Sequence, residues 1–205
     1  NGIYFTQKRH TFPPTCAALF HRRLHEDNIS PFCSSVGDII AYTATPEKQA
    51  DEPQIWTISC NGTLPTQLRE GQAPKISPDG NKILFLRKHK INGMTQIWIM
   101  DIDGNSETQI THNSDYMISQ ANWSPDGKWI VYSANEGLNS KQLQNHDIWL
   151  ISSEGLSKTQ LTTNGSEDYW PCWDYEGKYI YFRSNRGGKW DIWRFEPVIE
   201  QQKEN

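Results

Sequence analysis

The chain repeats itself at a period of 40 to 50 residues. Ser77-Pro78-Asp79-Gly80 recurs as Ser124-Pro125-Asp126-Gly127, and in degraded form as Ser34-Ser35-Val36-Gly37 and Asp174-Tyr175-Glu176-Gly177, so that the closing glycines stand 43, 47 and 50 residues apart. A module of that size cannot bury its apolar surface alone; it must stack on copies of itself. Three residues after each glycine comes an isoleucine, and two further an aromatic: Ile40 and Tyr42, Ile83 and Phe85, Ile130 and Tyr132, Ile180 and Phe182. Ile3 and Phe5 fit a fifth copy.

Two further elements complete the module. An Ile-Trp pair recurs as Ile55-Trp56, Ile97-Trp98, Ile148-Trp149 and Ile192-Trp193, with Leu19-Phe20 as a degenerate first copy. Thr66-Gln67-Leu68, Thr108-Gln109-Ile110 and Thr159-Gln160-Leu161 follow, each after an Asn-Gly, Asp-Gly or Glu-Gly turn. The runs are short, β-branched or aromatic, and bounded by hairpin-forming dipeptides, which predicts strands. Four of them, a to d, form an antiparallel meander. Strands b and c are apolar on both faces, as in Ile83-Leu84-Phe85-Leu86 and Ile148-Trp149-Leu150-Ile151, so each sheet needs a neighbour on either side. Twisted sheets stacked face to face close radially, and the fold predicted is an all-β propeller of four-stranded antiparallel blades, about five in number. Residues 1–205 form a single domain, with approximate repeats 1–30, 31–69, 73–111, 120–162 and 170–205. The first copy lacks strand a. The constant offset of 12 from strand-c Trp to strand-d Leu or Ile puts the last copy's strand d at residue 205, where the chain ends. Either a five-bladed ring closes with defective ends, the preferred reading, or the chain is part of a larger propeller.

Composition narrows the function. A net charge near −4 argues against general nucleic-acid binding. No apolar run approaches the roughly 18 to 20 residues that span a bilayer, and no leader precedes Gly2, although a start at Asn1 implies that an upstream region has been removed or left out. Cys16, Cys33, Cys60 and Cys172 show no CxxC spacing and read as four separate thiols. The six histidines show no tight metal-ligand spacing, although His89, His112 and His146 all fall on loops of one side. There is no Gly-x-Ser-x-Gly, no phosphate loop and no carboxylate pair on the inner strands. No catalytic residue, metal or cofactor is assigned.

Residues 120–162 resemble the TolB-type, WD-like propeller family most closely, through Trp123-Ser124-Pro125-Asp126-Gly127, then Asp147-Ile148-Trp149, then Leu161-Thr162. Residues 170–194 follow, with Trp170-Pro171-Cys172-Trp173 and Asp191-Ile192-Trp193; residues 73–111 and 31–69 match less fully, and 1–30 least. Such propellers occur as periplasmic binding proteins and as accessory domains of peptidases and lyases. The resemblance implies a periplasmic or secreted, non-enzymatic binding or scaffolding propeller that recognises a protein or peptide, or else a glycan, with no membrane insertion. The alternative is a propeller domain of, or associated with, a peptidase or polysaccharide lyase.

The site is expected where the spacing varies. The c-to-d unit is fixed, whereas the glycine-to-Trp distance across the b-to-c loop runs 19, 18, 22 and 16, and the d-to-a link varies too. In a meander these two connections emerge on the same side, and loops released from scaffold duty are free to contact a ligand. The d-to-a links there carry Asp115 and Tyr116, and Glu167, Asp168, Tyr169 and Trp170. An acid beside an aromatic ring suits an amine, a guanidinium or a sugar. In resembling propellers the acid of this link caps loop backbone and the ring packs between blades, which is the competing role. Asp147 and Asp191, just before Ile-Trp, read as structural partners of the b-to-c turn, and Asp79 and Asp126 as turn formers.

Overall fold

A computed structural model describes residues 31–33, 39–44, 52–59, 63–113, 115–136 and 145–198. Every regular element among them is a β-strand. The first sheet orders β1 (Pro31–Cys33), β2 (Ile39–Ala44), β3 (Gln54–Ser59) and β4 (Thr66–Glu70); the second β5 (Gln72–Ile76), β6 (Lys82–Lys88), β7 (Thr95–Asp101) and β8 (Thr108–Gln109). The third orders β9 (Ile118–Trp123), β10 (Trp129–Ala134), β11 (Asp147–Ser152) and β12 (Lys158–Gln160), and the fourth β13 (Asp168–Trp173), β14 (Ile180–Ser184) and β15 (Asp191–Phe195). All pairings are antiparallel between sequence neighbours. This is the four-stranded meander of a propeller blade. The first copy, most of the b-to-c loop before Asn145, Cys16, Cys60 and the final seven residues lie outside the described residues.

The repeated residues share one register. Tyr42, Phe85, Tyr132 and Phe182 pair with Trp56, Trp98, Trp149 and Trp193. In the first three sheets that Trp in turn faces Gln67, Gln109 or Gln160 of the outer strand. The aromatic face of the second, third and fourth sheets packs back onto the preceding one, and the opposite face carries the interleaved aliphatics. Ala41 and Ile55 meet Ile83, Phe85 and Met100; Leu84, Leu86, Ile97 and Ile99 meet Ile130 and Tyr132; Val131, Ile148 and Leu150 meet Ile180 and Phe182. Gly71 lies in the first of these layers, where a Cβ would come within 2.6 Å of Phe85 Cδ2 and 2.9 Å of Ile55 Cδ1.

The indoles of Trp56, Trp98 and Trp149 are half-buried and that of Trp193 is exposed. Three of them lie under a cation: Arg87 is 4.8 Å from the Trp98 centroid, Lys158 4.7 Å from Trp149 and Arg186 5.3 Å from Trp193. The isoleucine beside Trp56, Trp98 and Trp149 takes the deep position instead.

The Ser-Pro-Asp-Gly turns explain their own sequence. Ser77 Oγ donates to Asp79 Oδ1 (2.5 Å) and accepts from the Lys82 amide (2.9 Å), and the Gly80 amide returns to the Ser77 carbonyl. Ser124 and Asp126 repeat this, and in the fourth sheet Asp174 replaces the serine, accepting from the Tyr179 amide at 2.9 Å. The Asp147 carboxylate accepts from Gln160 Nε2 (3.0 Å) and Thr162 Oγ1 (3.1 Å), with Asn145 of the b-to-c loop as a further side-chain partner, so it ties strand c to the outer strand and the d-to-a link as well as to that loop. Gln96 does the same work through Thr111 and Asn113. Asp191 has no outer strand to reach among the described residues, and its carboxylate accepts only from the adjacent Ile192 amide.

Candidate functional site

The d-to-a link before β13 brings together residues from three hairpins. Asp168 is fully buried: its amide donates to the His146 carbonyl (2.8 Å), and Oδ2 accepts from Arg186 Nη2 (2.6 Å), while Oδ1 has no partner among the described residues. Asp168 thus anchors the link and does not face solvent. Glu167 sits above it, accepting from the His146 amide at 3.1 Å and lying 3.3 Å from His146 Nδ1. The Tyr169 hydroxyl is 2.7 Å from the same Nδ1, and burial pushes that phenol up to about 12. The Tyr169 ring lies 4.4 Å from the imidazole and 6.1 Å from Trp190.

Trp170 stands at a bulge with φ of 55°. A left-handed backbone is unusual for a bulky residue, but Ala73 before Pro74 has φ of 52° at the matching bulge of β5. The conformation therefore belongs to the scaffold. What is particular to β13 is the indole, 55% exposed, with the Arg183 guanidinium 5.1 Å from its ring centroid and 4.2 Å from that of Trp190. Tyr169, Trp190, Arg183 and Trp170 make a continuous shelf, its Tyr169 and Trp190 rings tilted 46° to each other, with Glu167 beside it. Such a surface can stack on a planar or apolar group while the carboxylate takes a hydrogen-bond donor.

The second d-to-a link is arranged otherwise. Tyr116 is buried in the layer between the second and third sheets, with Lys158 Nζ 3.3 Å from its hydroxyl and 5.1 Å from its ring. Lys158 also pairs with Glu136. Asp115 is exposed. The structure does not bring this pair to the shelf. Reasoning from residues had not singled out His146, Arg183, Arg186 or Trp190 for the shelf; His146, Arg186 and Trp190 lie just outside strands b and c, and Arg183 lies within β14.

On the inner strands, Trp123 Nε1 donates to the Lys75 carbonyl (3.0 Å) and Asn122 Nδ2 to that of Pro171 (2.7 Å), stitching successive sheets. Desolvation pulls the Lys75 amine down to about 8 and pushes the free Cys172 thiol up. A cavity of about 310 Å³ opens between the Pro125 and Glu176 turns, on the side opposite the shelf, with Trp129 and Trp173 in its wall. Among the described residues no group of three His, Cys, Asp or Glu side chains is placed to hold a metal ion, and no helix is long and apolar enough to cross a membrane.

The fold and the stacked sheets define a β-propeller, and comparison with known proteins shows which propellers it resembles. Residues 77–171 match the dipeptidyl peptidase IV N-terminal region. A tricorn-like protease C-terminal subunit of Sulfurisphaera tokodaii is 30% identical over 113 residues, covering 55% of this chain and 12% of that protein. A TolB-like protein from Agrobacterium tumefaciens superposes with a TM-score of 0.65 at 25% identity, over 83% of this chain and 58% of that one. TolB from Acinetobacter baumannii gives 0.66 at 24% identity, over 83% and 41%. The chain is a TolB-like β-propeller chain, of a fold that peptidases also carry as a domain, and it spans only part of the length of each of these relatives.

Proposed function

We propose that the chain is a binding or scaffolding propeller that recognises a protein or peptide through the loop side of its third and fourth sheets, within a bacterial envelope complex as the likeness to TolB suggests. The observation that carries the reading is the contrast at one bulge. The scaffold accepts Ala73 there in β5, whereas β13 presents an exposed Trp170 joined to Arg183, Trp190 and Tyr169. Exposed aromatics beside arginine are the residue types that dominate binding hot spots. Within this proposal Glu167, Tyr169 and Trp170 touch the ligand, Asp168 positions them through Arg186, and Asp115 and Tyr116 contribute at a distance from the shelf. A Tyr169→Ala/Trp170→Ala variant should lose about ten-fold or more in affinity for a partner captured from an envelope extract, with its far-UV spectrum unchanged. Unchanged affinity contradicts the proposal, and selective capture of an oligosaccharide on a glycan array would reassign the shelf to a sugar.

A second reading is favoured by the match of residues 77–171 to a peptidase region: the chain acts as the propeller domain of a peptidase, and its loop side meets a catalytic domain. Co-purification of peptidase activity with the chain, lost in the same double variant, would select this reading.

A further inference from the structure

The cavity of about 310 Å³ on the side opposite the shelf is lined by the third and fourth sheets alone and needs no further sheet for its walls. Pro125, Asp126 and Trp129 line it from one sheet, and Trp173, Glu176 and Gly177 from the other. Gly177 lets the two turns approach, since a Cβ there would already lie 3.6 Å from Pro125 Cδ. Both indoles are half-buried and pack against the aliphatic layer around Val131 and Ile180, which holds them in place. Trp129 is not a demand of the blade: the residue two places after the turn glycine is Lys82 in the second sheet and Tyr179 in the fourth. The carboxylates also differ from that of the second sheet's turn. Asp79 uses both oxygens within its own turn, Oδ1 accepting from Ser77 Oγ and the Asn81 amide, and Oδ2 from Asn81 Nδ2. Asp126 uses only Oδ1, accepting from Ser124 Oγ (2.5 Å) and the Lys128 amide (3.1 Å), and Glu176 only Oε1, accepting from the Tyr175 hydroxyl (2.6 Å). Among the described residues neither carboxylate is in an ion pair, and Lys178 lies 5.1 Å from the Tyr179 ring centroid instead.

We infer that this cavity is a binding site for a primary alkylammonium group, which sets its carbon chain against Trp129 and Trp173 and its nitrogen against Asp126 and Glu176. An indole face attracts a cation through its quadrupole, and a carboxylate accepts an ammonium N–H in a stronger hydrogen bond than it makes with a neutral donor. Two carboxylates that line one cavity repel each other. A cation relieves that repulsion, which an alcohol of the same length leaves in place and an anion makes worse. The volume stands at the low end of the range of about 300 to 1,000 Å³ found for small-molecule sites, which suits one side-chain-sized group better than a folded element. A lysine side chain of another protein and a free aliphatic amine share this chemistry. The inference is independent of the loop-side proposal, because the cavity lies on the opposite side and shares no residue with the shelf.

The test follows the indole N–H resonances of the whole isotope-labelled chain by NMR while n-butylammonium or n-butanol is added at constant ionic strength. Trp129→Phe and Trp173→Phe assign the two resonances that matter. n-Butylammonium should shift both saturably and bind at least about ten-fold more tightly than n-butanol. Asp126→Asn/Glu176→Gln should remove that preference. Trp129→Lys, which installs the residue type that the second sheet carries at this place, should abolish saturable binding while the other indole resonances stay dispersed, and so guards against misfolding. The peptide acetyl-Gly-Lys-Gly-amide separates the two sources: binding as tight as that of n-butylammonium supports a lysine of a partner, and its exclusion while n-butylammonium binds supports a free amine. Equal affinity for amine and alcohol, shifts that never saturate, or a preference unchanged in Asp126→Asn/Glu176→Gln overturns the inference.

Discussion

Ile148 and Ile192 occupy the same register position in successive sheets, yet one is sealed and the other open to solvent. Their immediate neighbours in sequence are alike, Asp-Ile-Trp in both cases. The difference lies in what stands opposite: Ile148 meets the aromatic face of the fourth sheet, whereas no described residue covers Ile192. Burial in this fold is therefore a property of the adjacent sheet rather than of the motif.

That comparison can be broken in several ways. Removing the buried member should have the largest effect: Ile148→Ala is expected to cost about 3 to 4 kcal/mol in denaturant unfolding, and Ile192→Ala less than about 1 kcal/mol. Trp149→Ala should cost about 2 to 4 kcal/mol, below the value for an enclosed indole because its ring lies at the margin under Lys158. Gly71→Ala should cost about 1 to 3 kcal/mol by forcing Phe85 and Ile55 apart, an effect with no counterpart at the open face. The smallest change concerns pH. Burial, opposed by the bonds from Thr162 and Gln160, holds the Asp147 carboxyl at about 6, above the ordinary value near 4. The folded chain then keeps a proton that the unfolded chain releases, so stability declines as pH rises from about 4 to about 6. Asp147→Asn should flatten that part of the stability profile, whereas Asp191→Asn, at an exposed position, should leave it unchanged.

Much of the fold was legible because the module repeats faithfully where geometry demands it. The Ile-x-aromatic of strand b and the Ile-Trp of strand c fixed the register, and the Ser-Pro-Asp-Gly turns announced hairpins through their own hydrogen bonds. Which side of the indole faces outward was not legible, since cation cover comes from Arg87 on strand b, Lys158 on strand d or Arg186 in a loop, at no constant offset. The segment from Glu167 to Trp170 could be named from loop variability. The burial of Asp168 could not, because its partner Arg186 belongs to the following hairpin and its amide acceptor to the preceding sheet.

The most direct test of the account is hydroxyl-radical footprinting of the whole chain, read side chain by side chain by mass spectrometry. Ile55, Ile97 and Ile148 should resist oxidation, while Ile192 and its neighbour Trp190 are modified at rates near those of the unfolded chain. Protection of Ile192 equal to that of Ile148 would contradict the account, by showing that the face of the fourth sheet is already covered.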